Sequence, residues 1–263
     1  PNGLGIVYCV SGGGFSSHDK VPNVIGASAP YLKRGYTIFA VVHGSNPKFT
    51  IPEVVKDMHR ALRFIRFHAK DYGIDPDRIG ITGGSAGGHL SLMMGTTGDN
   101  GDPNAKDPVD KTSSKVQCVA CFFPPTDFLN YSKPDESAIG VGILAAYAAP
   151  FDFHDFDPVQ KKFVKVTDPE KIRELARGIS PAQRADASSA PALIAHGDAD
   201  KLVPIQQAEV MIEKLKKAGV DCKLVTHAGG AHGWKDMHLE VEQFADWFDW
   251  RWQLGNMMTT AEA

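Results

Sequence analysis

At 263 residues, with 43% hydrophobic and 22% charged residues, the chain has a globular composition without the bias of a disordered or fibrous protein. A formal net charge of −3 supplies no basic footprint for nucleic acid or an anionic lipid surface. No apolar run approaches the roughly 20 residues of a membrane span.

In chain order, "GIVYCV" (5–10) reads as a buried strand running into glycines. A helical piece ending near 33–35 precedes a second strand, "YTIFAVV" (36–42). Residues 51–73 place apolar side chains at 54/55, 58, 61/62, 65 and 69, a helical period that Gly73 closes. "RIGIT" (78–82) is a short strand and "AGGHLSLMMGTT" (86–97) a helix; "KVQCVACFF" (115–123), "PALIAHG" (191–197) and "CKLVTH" (222–227) are further strands. Residues 204–219 read as a helix with Pro204 at its start and Gly219 as its C-cap. The last helix, 241–252, is amphipathic and rich in Trp and Phe. Continuous apolar strands alternating with helices predict an α/β fold whose mostly parallel sheet is flanked by helices on both faces.

Residues 125–188 break that alternation with prolines, acidic residues and aromatics, and are expected to form a lid within a single domain spanning 1–263. The lid is placed over the C-terminal edge of the sheet, where open α/β folds bind ligands. Its aromatics (Phe128, Tyr131, Tyr147, Phe151, Phe153, Phe156) are expected to wall a pocket, and its acids, among them Asp127 and Asp152, to face water. The "FDFHDFD" run lacks the glycine-turned loop of an EF-hand, so no calcium site is assigned to it. Cys9, Cys118, Cys121 and Cys222 lie in or beside apolar runs and are expected to be buried thiols. Cys118 and Cys121, three apart on a strand, should point to opposite faces and form no redox or metal pair.

The chemistry concentrates at Gly83-x-Ser85-x-Gly87, between a strand and a helix. A tight strand-to-helix turn strains the serine, exposes its Oγ and leaves no room for side chains on either side. No Lys-Ser/Thr follows these glycines and no G-x-G-x-x-G follows the first strand, which removes a phosphate-binding reading. A serine nucleophile needs a base, and the base needs a carboxylate to orient it. Both are available in order: "HGDADKLVP" follows one strand and "AGGAHGW" the next. Asp200 has the reach to meet a histidine from the neighbouring loop, whereas Asp198 is expected to bond its own backbone. His232 lies in its loop, whereas His227 still belongs to its strand; His89 is expected in the core, and His43 and His196 as hydrogen-bonded structural residues. "SGGGFSS" (11–17) offers bare backbone N–H groups, so Gly13, Gly14 and Ala86 are the candidate oxyanion donors and Phe15 a candidate substrate contact.

With these residues in place, the chain resembles the α/β-hydrolase-fold serine esterases, in particular the group with feruloyl or acetyl-xylan esterase and prolyl-oligopeptidase-like domains. "GIDPDRIGITGGSAGGHL", "APALIAHGDADKLVPIQQAEVMIEKLKKAG" and "GGAHGW" carry the similarity, which runs nearly end to end. It implies Ser85, Asp200 and His232 as the triad and "SGGGF" as the oxyanion loop. It departs in having Ser11 where the group usually has His, and in lacking the two strands that normally precede the oxyanion strand. Together with the absence of an initiator Met and of a signal peptide, this predicts a processed or shortened start, and the sequence assigns neither compartment nor oligomeric state. The expected activity is hydrolysis of small-molecule carboxylic esters, short-chain or aryl/carbohydrate, without cofactor or metal and without nucleic-acid or membrane partners. A serine peptidase of the prolyl-oligopeptidase-like type and a non-catalytic binding module on the same fold are the alternatives.

Overall fold

The computed structural model describes residues 1–252. The apolar runs form β1 (Gly5–Cys9), β2 (Thr37–Val41), β3 (Ile79–Gly84) and β4 (Cys118–Phe122). A separate antiparallel hairpin follows, β5 (His154–Asp157) with β6 (Lys162–Lys165), and then β7 (Ala192–Gly197) and β8 (Cys222–His227). The main sheet has the order β2-β1-β3-β4-β7-β8, and every neighbouring pair is parallel. The order reverses at β1, whose neighbours are β2 and β3, so a crevice opens at the C-terminal ends of β1 and β3. No helix among the described residues is long and apolar enough to cross a membrane.

Alternate residues of each strand face opposite sides of the sheet, and each side is covered. Val7, Val119 and Cys121 join a core with α3 (Ile51–Phe67), α4 (Ala86–Thr97) and α7 (Gln206–Lys217) through Met58, Leu62, Met93 and Met211. Ile6, Cys118 and Ala120 face the other core, with Tyr31 of α2 (Ala29–Lys33) and with Phe244 and Phe248 of α8 (His238–Arg251). Cys118 and Cys121 therefore do point apart, as free thiols whose burial pushes both pKa values up.

Several sequence boundaries shift for local reasons. The long helix ends at Phe67 rather than 73, because the following N–H groups bond three residues back: Ala69 to Arg66, Asp71 to His68, Gly73 to Lys70. These turns keep Ala69 in the core, which preserves the apolar period past the helix end. The Arg66 guanidinium donates to the carbonyls of Pro76, Ser113 and Lys115 and pins that end. At its other end Thr50 and Glu53 form a capping box. The helical piece before β2 is two helices, α1 (Val21–Ala27) and α2, each with a proline in its first turn. The 204–219 helix is shorter at both ends, with Ala218 as C-cap and Gly219, φ 74°, just beyond.

Residues 125–188 contain 3-10 turns, the β5–β6 hairpin, α5 (Pro169–Gly178) and α6 (Pro181–Arg184). Phe128, Tyr131, Leu144, Phe153 and Val166 pack with Ile51 and Val203 into a cluster of their own. Asp127 departs from the expectation of solvated acids. It is buried, with its carboxylate accepting from the N–H groups of Leu129 and Asn130 and from the amides of Asn130 and Gln183.

Candidate active site

Ser85 follows β3 and precedes α4 with φ 55° and ψ −120°, a conformation that L-residues rarely adopt. The turn is tied down by Ser85 N–H donating to Phe122 O (3.1 Å) and His89 N–H to Ser85 O (2.9 Å). Ala86 opens α4, so its N–H lacks an intrahelical acceptor and faces the same end of the helix as the serine.

The loops after β7 and β8 are zipped together. Asp198 N–H donates to His227 O (3.2 Å), Ala199 N–H to Gly230 O (2.9 Å), and the Asp198 carboxylate accepts from Gly229 N–H (2.6 Å). Asp198 thus braces the neighbouring loop rather than its own turn. Asp200 points inward with a fully buried side chain: Oδ1 accepts from the N–H groups of Leu202 and Val203, both at 2.9 Å, and Oδ2 meets His232 Nδ1 at 2.7 Å. His232 Nε2 lies 2.9 Å from Ser85 Oγ. Because an ionised carboxylate only accepts, His232 must carry its proton on Nδ1, which leaves Nε2 with a lone pair toward the serine hydroxyl. Burial pushes the Asp200 carboxyl up. The His196 ring 3.5 Å away and the hydrogen bonds from His232 and the Val203 N–H outweigh that burial and hold it below the usual carboxylate range.

The rival residues lie elsewhere. His227 Nδ1 contacts Glu240 Oε1 (3.1 Å), and its ring stacks on Trp234, whose indole N–H donates to Glu240 Oε2 (3.1 Å). His196 is buried and donates from Nε2 to Val203 O (2.7 Å), 3.5 Å from Asp200. His43 donates from Nδ1 to Gly44 O (2.5 Å). His89 is buried and donates to Ile179 O (2.7 Å); burial pushes its pKa down to about 4. His43 and His196 are thus hydrogen-bonded structural residues and His89 lies in the core, as the sequence predicts.

Across from the serine, Gly13 (φ 58°) and Gly14 (φ 77°) form the tip of a turn closed by the reciprocal bonds Gly12 N–H to Phe15 O and Phe15 N–H to Gly12 O, both 2.9 Å. The N–H groups of Gly13 and Gly14 have no protein acceptor among the described residues. They border a cavity of about 1070 Å³ that also takes in Ser85, Ala86 and His232. Phe15, 49% exposed, is at its rim. Of the aromatics in residues 125–188, Phe128, Tyr147 and Phe151 line the cavity, whereas Tyr131 and Phe153 are buried in their own cluster and Phe156 lies exposed on the hairpin. Sequence reasoning did not single out Phe123, whose ring packs on the His232 imidazole with centroids 4.5 Å apart. Its only local signal is position, one residue past a strand end.

A parallel sheet with a strained serine after β3, and with an acid and a histidine on the loops after β7 and β8, defines an α/β hydrolase. The chain belongs to the BD-FAE family, whose model matches residues 2–215. It is 26% identical over 212 residues to a probable carboxylic ester hydrolase, LipM, of Mycobacterium tuberculosis, covering 81% of this chain and 45% of that protein. The chain spans about half the length of the curated relatives it matches. Among solved structures, a truncated carbohydrate esterase from gut microbiota matches with a TM-score of 0.76 at 25% identity, covering 94% of this chain and 85% of that one. The butyrate-bound esterase Est2 of Thermogutta terrifontis matches with a TM-score of 0.69 at 26% identity, covering 94% and 82%.

Proposed function

We propose that this protein hydrolyses carboxylic esters through an acyl-enzyme formed on Ser85. The carrying observation is the unbroken line from Asp200 Oδ2 through His232 (2.7 Å) to Ser85 Oγ (2.9 Å), opening onto the cavity. In this reading His232 Nε2 takes the serine proton as Oγ attacks the ester carbonyl, and Asp200 stabilises the imidazolium that forms. The N–H groups of Gly13, Gly14 and Ala86 receive the oxyanion of the tetrahedral intermediate. His232 then returns the proton to the leaving alcohol, and a water repeats the sequence on the acyl-enzyme.

Residues 125–188 act as the lid in this proposal, with Phe128, Tyr147 and Phe151 walling the space open to the acyl or aryl group. Phe15 contacts the substrate from the rim. A wall of bulky rings suits short-chain or aryl esters, including esters of carbohydrates, the substrate class named for the gut-microbiota neighbour. The test is labelling with a fluorophosphonate probe together with hydrolysis of p-nitrophenyl esters of increasing chain length. Label on Ser85, with label and turnover both lost in Ser85→Ala, is the expected result; label retained at another serine overturns the assignment.

A further inference from the structure

We propose that Asn46 is a positioning residue for the oxyanion loop, orienting the Gly14 N–H toward the carbonyl under attack; this rests on the esterase reading above. Two consecutive glycines at positive φ have little conformational bias of their own, so their orientation has to be imposed from outside. Asn46 supplies the restraint twice. Its side-chain Nδ2 donates to Gly13 O (3.1 Å), and its backbone N–H donates to Gly14 O (3.3 Å).

In a trans peptide the C=O and the following N–H point in opposite directions. Holding Gly13 O on Asn46 therefore turns the Gly14 N–H away from Asn46. Holding Gly14 O likewise directs the Phe15 N–H to the bond with Gly12 O that closes the turn. The fit is close: a Cβ on Gly14 would lie 3.2 Å from Asn46 Nδ2.

The segment carrying Asn46 is itself stitched to the loop. Ser45 Oγ accepts from Ser16 N–H (2.7 Å), and Ser16 Oγ accepts from His43 N–H (3.2 Å) while donating to Val10 O. Ser11, which precedes the glycines, supplies no such tether, since its hydroxyl is buried without a hydrogen-bond partner among the described residues. The restraint on the glycine carbonyls therefore comes from the neighbouring loop, the one after β2.

The test compares wild type, Asn46→Ala and the near-isosteric Asn46→Asp, which replaces the amide donor by an acceptor. Steady-state kinetics on a p-nitrophenyl ester would be combined with inhibition by a trifluoromethyl ketone, whose hemiketal adduct needs the oxyanion site, and with thermal midpoints. Removing an oxyanion donor costs about 10²–10³ in kcat, so misaiming one should cost at least about tenfold in kcat with KM changed less than about threefold. Ketone affinity should fall in proportion to kcat, with Asp at least as damaging as Ala. A kcat within about twofold of wild type in the folded Asp variant, or a KM rise that accounts for the whole loss, overturns the proposal. If Ala fails to fold, Asp decides it. A wild type that hydrolyses no ester overturns the esterase reading and this inference together, whereas an active wild type with unimpaired Asn46 variants removes the inference alone.

Discussion

A methyl group added at Gly83 would come within 2.6 Å of the Gly87 carbonyl group, and one at Gly87 within 2.7 Å of Cys9 O. The two flanking glycines are thus fixed by close approach of backbone to backbone. The unusual dihedrals fall on the serine, where strain of this kind costs on the order of 1–3 kcal/mol. Two outcomes follow. Gly83→Ala should lose about 1–3 kcal/mol or more, read as a lower urea midpoint, because the obstruction is main chain and cannot step aside. Ser85→Gly should unfold at higher urea than Ser85→Ala, since alanine retains the strained φ and glycine relieves it. The reverse order would mean that the turn holds no strain at residue 85. For the neighbouring loops, His232→Ala and Asp200→Asn should each lower kcat by several orders of magnitude, as loss of a base or its orienter does in triad enzymes. His227→Ala and Asp198→Asn, whose partners are Glu240 and Gly229, should cost less than about tenfold. An equal loss in both pairs, measured on one ester, would remove the distinction.

At the scale of elements, residues 125–188 divide into a part that borders the cavity and a part that does not. Tyr147 and Phe151 are on the wall, and a Cβ on Gly13 would fall 2.7 Å from the Tyr147 ring. The β5–β6 hairpin stands apart, with Phe156 and Phe163 paired on an exposed face. Replacing 154–165 by a short linker should therefore leave the acyl-chain preference unchanged. Phe151→Ala should shift it toward longer chains, chiefly through KM. A hairpin deletion that changed the preference would place that wall elsewhere. The same division explains what was legible beforehand. The four inner strands, β1, β3, β4 and β7, are largely buried and read as apolar runs, and the strand-turn-helix context then located Ser85, Asp200 and His232. "HDFD" and "KFVK" are only four residues each and largely exposed, so neither has the buried apolar run that marks the sheet strands. Asn46 and Phe123 had no local signal either. Their roles come from lying beside a loop or against a ring that the fold brings near, and that proximity is not encoded in their own neighbourhoods.

For the whole molecule, the two faces of the sheet should respond differently to acid. On one, Arg34 ties α2 to α8 through Glu242, Asp246 and Asp249, partly exposed ion pairs whose worth is modest. On the other, His89 joins α4 to the 125–188 segment, donating to Ile179 O with its ring on Phe128 at 5.3 Å. Burial pushes its pKa down to about 4, against roughly 6.5 in the unfolded chain. The folded state therefore keeps this imidazole neutral where the unfolded state has already bound a proton. Its contribution is complete above about pH 6.5 and is lost as pH falls from there to about 4, amounting to on the order of 3 kcal/mol at the lower end. Urea midpoints of wild type and His89→Gln at pH 7.5, 5.5 and 4.5 isolate the effect, because glutamine keeps an N–H donor for Ile179 O and does not titrate. Wild type should lose stability more steeply than the variant across this window. Parallel curves would mean that His89 takes up its proton in place, and that the link between α4 and the 125–188 segment adds no sensitivity to acid.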